Sequence, residues 1–188
     1  HIYNYIYRMK NTQYDKIVII DYGSQYTQLI AKAIRKHHLF SEIIPYHKFT
    51  NTLPLKYIKG IILSGSPKSV VNQKYPDFHY EHFKDTKIPI LGICYGAQLL
   101  AKHNNEHIDK TGKCEYGSHK IIISKDQDLL GITEDLHVWM SHNDTITSHK
   151  NIDILAKTEN DVIAAYKVKD REIYGIQFHP EVSHTEYG

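Results

Sequence analysis

Two short motifs place a thiol, an imidazole and a carboxylate in a pattern that could do covalent chemistry. The first is Gly92-Ile93-Cys94-Tyr95-Gly96, and the second is Phe178-His179-Pro180-Glu181. A histidine can take the proton of a cysteine nucleophile, and a carboxylate close to that histidine fixes the imidazole tautomer. The two motifs therefore predict that Cys94, His179 and Glu181 form a hydrolytic set.

The residues around Cys94 indicate a sharp turn between a strand and a helix. Residues 88–93 form a short apolar run with β-branched side chains, and residues 95–102 contain good helix formers and no proline. Such an elbow exposes a nucleophile at the carboxyl edge of a parallel sheet. A lone cysteine is more often an inert buried residue, but the flanking glycines and the downstream His179 and Glu181 disfavour that alternative.

A third segment supplies candidate hydrogen-bond donors for an oxyanion. Residues 59–63 are typical of another buried strand, and residues 64–69 follow as a turn-rich loop. A backbone N–H of Gly65 or Ser66, together with the N–H of Tyr95, could stabilise the negative charge that develops during attack. On this segment alone, a generic strand-to-helix connection is an equally good interpretation.

The elements that must position these residues change character along the chain. Strands at 17–20, 41–44, 61–63 and 88–93 alternate with helical or irregular stretches, including an amphipathic helix at about 26–37. From about residue 112 the pattern becomes a series of short strands at 119–124, 137–140, 153–157, 162–168 and 172–178. We therefore predict an α/β fold with a mostly parallel central sheet flanked by helices, and extra short antiparallel strands in the C-terminal half.

Composition excludes several other classes of function. Lys plus Arg is 23 and Asp plus Glu is 21, and this net charge of +2 disfavours binding of nucleic acid or of a membrane surface. No apolar run approaches the ~20 residues of a membrane span, and we identify no signal peptide. Cys94 and Cys114 are the two cysteines and predict no disulfide framework; Cys114 is interpreted as structural, and no Cys/His group has zinc spacing. A catalytic thiol must stay reduced, which predicts a cytoplasmic location.

Four segments resemble class I glutamine amidotransferases, and within that family the glutaminase domains of glutamine-hydrolysing GMP synthases. The elbow at Cys94 and residues 174–188, which include the His-Pro-Glu motif, are similar to the family's catalytic segments. Residues 21–31 and 138–144 favour the GMP synthase branch over anthranilate, carbamoyl phosphate or aminodeoxychorismate relatives. The resemblance runs from about residue 14 to the end, so we predict an N-terminal extension or expression remnant at 1–13 and the amidotransferase domain at 14–188.

The resemblance implies a flavodoxin-like fold, a reaction and a site. Cys94 would attack the side-chain amide carbon of glutamine, His179 would transfer the proton, and Glu181 would orient His179. The expected oxyanion donors are the backbone N–H groups of Tyr95, Gly65 and Ser66, and the expected substrate contacts are Gln98, Ser141, His142, Asn143 and Asp144. The ammonia would pass to an ATP-pyrophosphatase (synthetase) domain or subunit that aminates XMP to GMP. No metal or cofactor is expected in this domain, whereas ATP and Mg are expected at the partner synthetase.

Departures from the family pattern leave alternatives open. The family usually has two glycines before proline where this chain reads Gly65-Ser66-Pro67, and serine tolerates a positive φ less well than glycine does. The sequence also ends before the family's closing helix, so we expect a fragment. The alternatives are a glutaminase or γ-glutamyl hydrolase of another branch, a non-catalytic regulatory module of the same fold, and a doubly wound domain with a packed cysteine. The other histidines are scattered, and for these, His142 included, a surface position is the default.

Overall fold

The computed structural model describes residues 14–50, 54–110, 113–124, 131 and 134–188. Within them the strands are β1 (Lys16–Asp21), β2 (Ser41–Pro45), β3 (Ile58–Leu63), β4 (Ile90–Ile93), β5 (Ile108–Asp109), β6 (Glu115–Ile123), β7 (Leu136–His142), β8 (Thr145–Ile146), β9 (Ile152–Thr158), β10 (Ile163–Val168) and β11 (Ile173–Ile176). The helices are α1 (Thr27–Lys36), α2 (Tyr80–Phe83) and α3 (Tyr95–His103), with 3₁₀ turns at Tyr46–Lys48 and Leu55–Tyr57. The predicted extension at 1–13 lies outside the described residues.

One nine-stranded sheet forms the centre of the molecule, in the order β2-β1-β3-β4-β11-β10-β9-β6-β7. The first five strands in this order pair in parallel, and the last four continue the same sheet with antiparallel pairings. Strands β5 and β8 form a separate antiparallel ribbon. The predicted α/β fold, with a mostly parallel sheet and added antiparallel strands, is confirmed.

Successive side chains of the parallel strands enter two different cores, because strand residues alternate between the faces of a sheet. In β1, Val18 and Ile20 belong to the apolar cluster that contains Leu99 of α3. Ile19 belongs to the other cluster, which contains Ile30 of α1 and Cys94. Helices therefore cover both faces of the sheet, as predicted. No helix within the described ranges is long and apolar enough to cross a membrane.

One boundary error concerns the strand that leads to His179. The sequence predicts a strand from 172 to 178, whereas β11 ends at Ile176. The N–H of Gln177 still donates to the carbonyl of Ala164 at 2.8 Å, but the N–H of His179 donates to the carbonyl of Trp139 in β7 at 3.0 Å. Because β7 is four strands away from β11 in the sheet, this bond shows that the antiparallel half curves back towards the carboxyl end of β11.

Candidate active site

Cys94 lies on a strained turn between β4 and α3. Its backbone has φ 53° and ψ −106°, a positive φ that is uncommon for a residue with a side chain. A Cβ atom on Gly92 would lie 2.4 Å from the carbonyl carbon of Gly96, and one on Gly96 would lie 2.4 Å from the carbonyl oxygen of Leu63. Both glycines of the motif are therefore required, because backbone atoms occupy the space that a side chain would need.

His179 and Glu181 form a buried pair beside this turn. His179 Nδ1 lies 2.8 Å from Glu181 Oε1, and both side chains are almost inaccessible to solvent. Burial alone would lower the pKa of His179, but its interactions with the Cys94 and Glu181 side chains outweigh burial and raise the pKa to about 10. At neutral pH the ring is therefore an imidazolium, with its proton already available to a departing group.

The backbone around His179 is held by the edge strand β7. Thr185 Oγ1 donates to the His179 carbonyl at 2.6 Å and accepts the N–H of Trp139 at 3.0 Å. The edge of the Tyr26 ring approaches the imidazole, with centroids 5.2 Å apart. Residues 179–186 thus cover the free edge of β7, which both protects that edge and fixes the position of His179.

The loop that follows β3 packs directly against the catalytic side chains. A Cβ atom on Gly65 would lie 3.1 Å from His179 Cε1 and 3.8 Å from Cys94 Cβ. The backbone N–H groups of Gly65, Ser66 and Tyr95 make no hydrogen bond with any other described residue. All three predicted oxyanion donors therefore lie at or next to the nucleophile with free N–H groups, and their role stays a prediction.

Ser66 suits this loop better than the family pattern indicates. Neither Gly65 nor Ser66 has a positive φ. The expectation that serine strains the backbone at this position is therefore wrong. The Ser66 hydroxyl donates to the carbonyl of Tyr22 at 2.8 Å and accepts the N–H of Lys68 at 3.1 Å. The serine closes its own turn and ties the loop to the end of β1.

Two cavities meet at Cys94. One, of about 440 Å³, is lined by Cys94 and by all five predicted substrate contacts, which are Gln98, Ser141, His142, Asn143 and Asp144. The other, of about 390 Å³, lies on the side of Tyr26 and His179. The first volume is sufficient for a free amino acid. The contact roles themselves stay predictions.

The amide of Gln98 has a fixed orientation. Its Nε2 donates to the carbonyl of Asp144 at 2.9 Å and to Oε1 of Gln177 at 3.1 Å. A carbonyl oxygen can only accept, so the amide cannot be flipped without losing the bond to Asp144. The Oε1 atom of Gln98 is therefore left as an acceptor at the cavity.

The Asp144 carboxylate lies at the same cavity as Gln98, and one of its two oxygens has no hydrogen-bond partner in the described residues. Its Oδ2 accepts a hydrogen bond from Ser69 Oγ at 2.5 Å. Its Oδ1 is buried and has no hydrogen-bond partner within the described residues. A buried, unpaired carboxylate oxygen is costly, so the protein maintains this arrangement against a penalty.

His142 is buried rather than at the surface, so its default assignment is wrong. Its Nδ1 lies 3.0 Å from the carbonyl oxygen of Asp144, and its Nε2 lies 3.1 Å from Glu115 Oε2. Both ring nitrogens are occupied within the protein, so His142 supports the cavity instead of offering its ring to a ligand. Ser141 approaches the nucleophile itself, because its carbonyl oxygen lies 3.4 Å from Cys94 Sγ.

Sequence reasoning missed two lysines and an acid at this site. Lys68 and Lys110 line the cavity next to the predicted contacts, and Glu115 lies behind His142. Lys68 could have been found, because it lies in the 64–69 loop that carries two of the predicted oxyanion donors. Lys110 and Glu115 carry no local signal, since only the pairing of distant strands brings them to the site. No cluster of three His, Cys, Asp or Glu side chains that could hold a metal is present in the described part of the chain.

Comparison with known proteins assigns the family. Residues 18–188 match the family model described as glutamine amidotransferase class-I, and the chain belongs to this family. Its relatives include the GMP synthase [glutamine-hydrolyzing] of Petrotoga mobilis, at 48% identity, and GMP synthase [glutamine-hydrolyzing] 1 of Bacteroides thetaiotaomicron, at 46% identity. Each alignment covers 177 residues, 93% of this chain and 34% of the relative, so the chain spans about a third of the length of these curated relatives.

Solved structures agree with this assignment. A Thermoplasma acidophilum protein, described as a putative subunit of GMP synthase, superposes with a TM-score of 0.78 at 27% identity, covering 94% of this chain and 89% of its own. A glutamine amidotransferase of Thermotoga maritima superposes with a TM-score of 0.76 at 21% identity, covering 92% of this chain and 78% of its own. The second similarity supports the fold alone.

Proposed function

We propose that this chain hydrolyses glutamine to glutamate and ammonia through a thioester at Cys94. The ammonia then serves an ATP-pyrophosphatase (synthetase) domain or subunit that aminates XMP to GMP. The observation that carries this proposal is the buried His179–Glu181 pair beside a thiol on a strained turn, at the base of a cavity. Family membership and the names of the relatives support the same reaction.

The charges of the cavity match a zwitterionic amino acid. The Asp144 carboxylate lines the cavity and would attract the α-ammonium group of glutamine. Lys68 and Lys110 line the same cavity and would attract the α-carboxylate. Gln98 Oε1 is free to accept from a substrate N–H. Together these groups would direct the side-chain amide towards Cys94.

Acylation uses the proton that His179 already carries. The Cys94 thiolate attacks the amide carbon, and the carbonyl oxygen becomes an oxyanion that the N–H groups of Tyr95 and of Gly65 or Ser66 stabilise. The imidazolium then gives its proton to the departing nitrogen, the carbon–nitrogen bond breaks, and ammonia and a γ-glutamyl thioester result. The neutral imidazole keeps its Nδ1 hydrogen bond to Glu181, so the ring is correctly oriented for the next step.

Deacylation reverses the direction of proton transfer. Neutral His179 takes a proton from a water molecule, and the hydroxide attacks the thioester carbon. The same N–H groups stabilise the second oxyanion. The carbon–sulfur bond then breaks, glutamate leaves, and Cys94 and His179 return to the thiolate–imidazolium state.

The partner and the cellular setting complete the proposal. No cofactor is needed for the chemistry assigned to this domain, and ATP and Mg would act at the synthetase. A thiol nucleophile must stay reduced, which supports a cytoplasmic location. Amidotransferase sites are often completed only when the partner is loaded, so we expect the isolated chain to be slow.

The decisive measurement is glutamate release from glutamine, first by this chain and then by its complex with an ATP-pyrophosphatase partner, XMP, ATP and Mg²⁺. We expect strong stimulation by the loaded partner and no release by a folded Cys94→Ala variant. Absence of release in both states, with Cys94 unreactive towards an electrophilic glutamine analogue, would instead favour the regulatory module. Release that XMP and its synthetase do not stimulate would favour another amidotransferase.

A further inference from the structure

Behind the cavity lies a second buried pair of an imidazole and a carboxylate. His142 and Glu115 are direct cross-strand neighbours on β7 and β6. His142 Nε2 lies 3.1 Å from Glu115 Oε2, and the side chains are 1% and 2% exposed. The proposed chemistry assigns no step to this pair, so its hydrogen-bond partners must explain why two ionisable groups are buried there.

The partners of Glu115 show that its Oε1 carries no proton. Oε1 accepts from Thr158 Oγ1 at 2.8 Å and from Asn160 Nδ2 at 3.1 Å. The Thr158 hydroxyl oxygen itself accepts the N–H groups of Asn160 and Val162, at 3.3 Å and 3.2 Å. The Thr158 hydrogen must therefore point to Glu115, and Oε1 acts only as an acceptor.

The partners of His142 require one further proton in the pair. Nδ1 faces the carbonyl oxygen of Asp144, which can only accept, so Nδ1 carries a hydrogen. Nε2 faces Oε2 of Glu115, and a hydrogen bond between these two atoms needs a second hydrogen. Burial raises the pKa of Glu115, but the hydrogen bonds from His142, Thr158 and Asn160 outweigh burial and lower it.

Other ionisable groups around the pair are more distant. His119 Nδ1 lies 3.9 Å from Glu115 Oε1 and 3.9 Å from Glu159 Oε1, and it is buried without a hydrogen-bond partner in the described residues. The close, well-oriented contact of Glu115 is therefore with His142. The pair is therefore a buried imidazole and a buried carboxyl group joined by one hydrogen bond.

We propose that Glu115 is a positioning residue of the glutaminase site. It holds the His142 ring against the Asp144 carbonyl and so fixes the 141–144 segment. The proposal rests on the function proposed above. The same segment contacts the nucleophile through the Ser141 carbonyl, 3.4 Å from Cys94 Sγ, and it holds Gln98 through the Asp144 carbonyl at 2.9 Å. Glu115 thus fixes the cavity wall at which glutamine binds, although it touches neither the cavity nor the nucleophile.

The charge and the geometry of Glu115 can be separated by two substitutions. In Glu115→Gln, the amide oxygen can still accept from Thr158 and Asn160, and the amide nitrogen can donate to a neutral His142. The hydrogen-bond pattern then survives with the ring protonated at Nδ1 alone. In Glu115→Met, the Nε2 side of His142 loses its partner, and the cavity wall loses its anchor.

The test measures glutamine kinetics in the complex with the loaded ATP-pyrophosphatase partner. We expect Glu115→Met to raise KM for glutamine about tenfold and to change kcat by less than about threefold. The reason is that an unsatisfied buried polar group costs a free energy equivalent to roughly a tenfold change in an equilibrium constant. Glu115→Gln should restore KM to within about twofold of wild type.

Glu106 offers a matched control, because it is also a buried glutamate with several hydrogen bonds. It accepts from the N–H of Asn151 at 2.5 Å and from Ser148, and it does not line the cavity. Glu106→Met should lower stability and leave KM unchanged. An equal rise of KM in Glu106→Met, an unchanged KM in folded Glu115→Met, or a failure of Glu115→Gln to restore KM would overturn the proposal.

Failure of the proposed function would look different. A wild-type complex that does not hydrolyse glutamine would refute the glutaminase assignment, whatever Glu115 does. Labelling of Cys94 by an electrophilic glutamine analogue then decides the positioning role, because it needs a formed cavity but no turnover. Slower labelling in Glu115→Met than in Glu106→Met would retain the role, and equal rates would reject it.

Discussion

Two imidazole–carboxylate pairs lie within this site, and only one of them faces a reactive group. His179–Glu181 and His142–Glu115 are both buried, with nitrogen–oxygen distances of 2.8 Å and 3.1 Å. They differ in the atom that faces the second ring nitrogen. Nδ1 of His142 meets a backbone carbonyl, whereas Nε2 of His179 is left for the Cys94 thiol. The comparison indicates that the second partner of each imidazole, rather than the carboxylate it is paired with, determines which of the two rings could transfer a proton.

Replacing His179 with alanine removes the imidazole of the pair that faces Cys94. Cys94 loses its proton acceptor and the departing ammonia loses its proton donor, so kcat for glutamine hydrolysis should fall by about 10⁴-fold or more. The measurement is glutamate release by the loaded complex, with circular dichroism to verify the fold. His142→Gln is the comparison variant, and an equal loss of kcat in it would contradict the division of roles.

Replacing Glu181 with glutamine should have a smaller effect, because it changes orientation and charge but leaves both reacting groups in place. The loss of kcat should be roughly one to two orders of magnitude smaller than the loss in Cys94→Ala. Because Glu181 helps to raise the pKa of His179, the variant should also lower that pKa, which the pH profile of kcat reports. A loss as large as that of Cys94→Ala would refute the orienting role.

A methyl group added at Gly65 should displace the His179 ring and leave the His142 ring in place, which separates the two pairs. Its Cβ would press on His179 Cε1 at 3.1 Å, so Gly65→Ala should lower kcat/KM about tenfold through misplacement of the ring. Gly60→Ala is the matched control, since its Cβ would lie equally close, at 3.1 Å, to Ile17 Cδ1 and far from the site. A similar loss in both variants would indicate general destabilisation.

The smallest effect concerns the titration of His179. The pKa of its ring should be about 10 in the folded protein, and Cys94→Ala should lower this value, because interaction with Cys94 raises the pKa. The folded pKa lies above the ordinary value of 6.5, so the resulting stabilisation is complete below pH 6.5 and is lost as the pH rises through about 10. Histidine NMR and unfolding at several pH values test both statements. A ring that titrates near 6.5 in wild type would refute them.

The two pairs also differ in how far the sequence could reveal them. His179 and Glu181 are two residues apart on one motif, and a glycine-flanked cysteine predicts its own elbow, so this part of the site was readable from residue types alone. Glu115 and His142 are 27 residues apart and meet only through the register of β6 with β7. Register depends on cross-strand packing, which a single sequence does not display.

The same limit applies to the fold. Buried parallel strands such as β1 and β4 are recognisable as apolar runs, and the helix after Cys94 follows from its composition. The ends of strands were less accurate, because Gln177 and Phe178 look like strand residues although the chain has already turned towards β7. The curvature that brings β7 to the catalytic edge depends on contacts between distant elements, and no local pattern encodes it.

The position of β11 in the sheet has a consequence for the order in which the site is made. Synthesis proceeds from the N-terminus, so β4 and the Cys94 elbow emerge about eighty residues before the strand that pairs with the other side of β4. β11 must insert between β4 and β10, and His179 follows directly behind it. On the proposed mechanism, Cys94 would therefore have no proton acceptor until the sheet is complete, and assembly of the fold would itself delay the onset of glutamine hydrolysis.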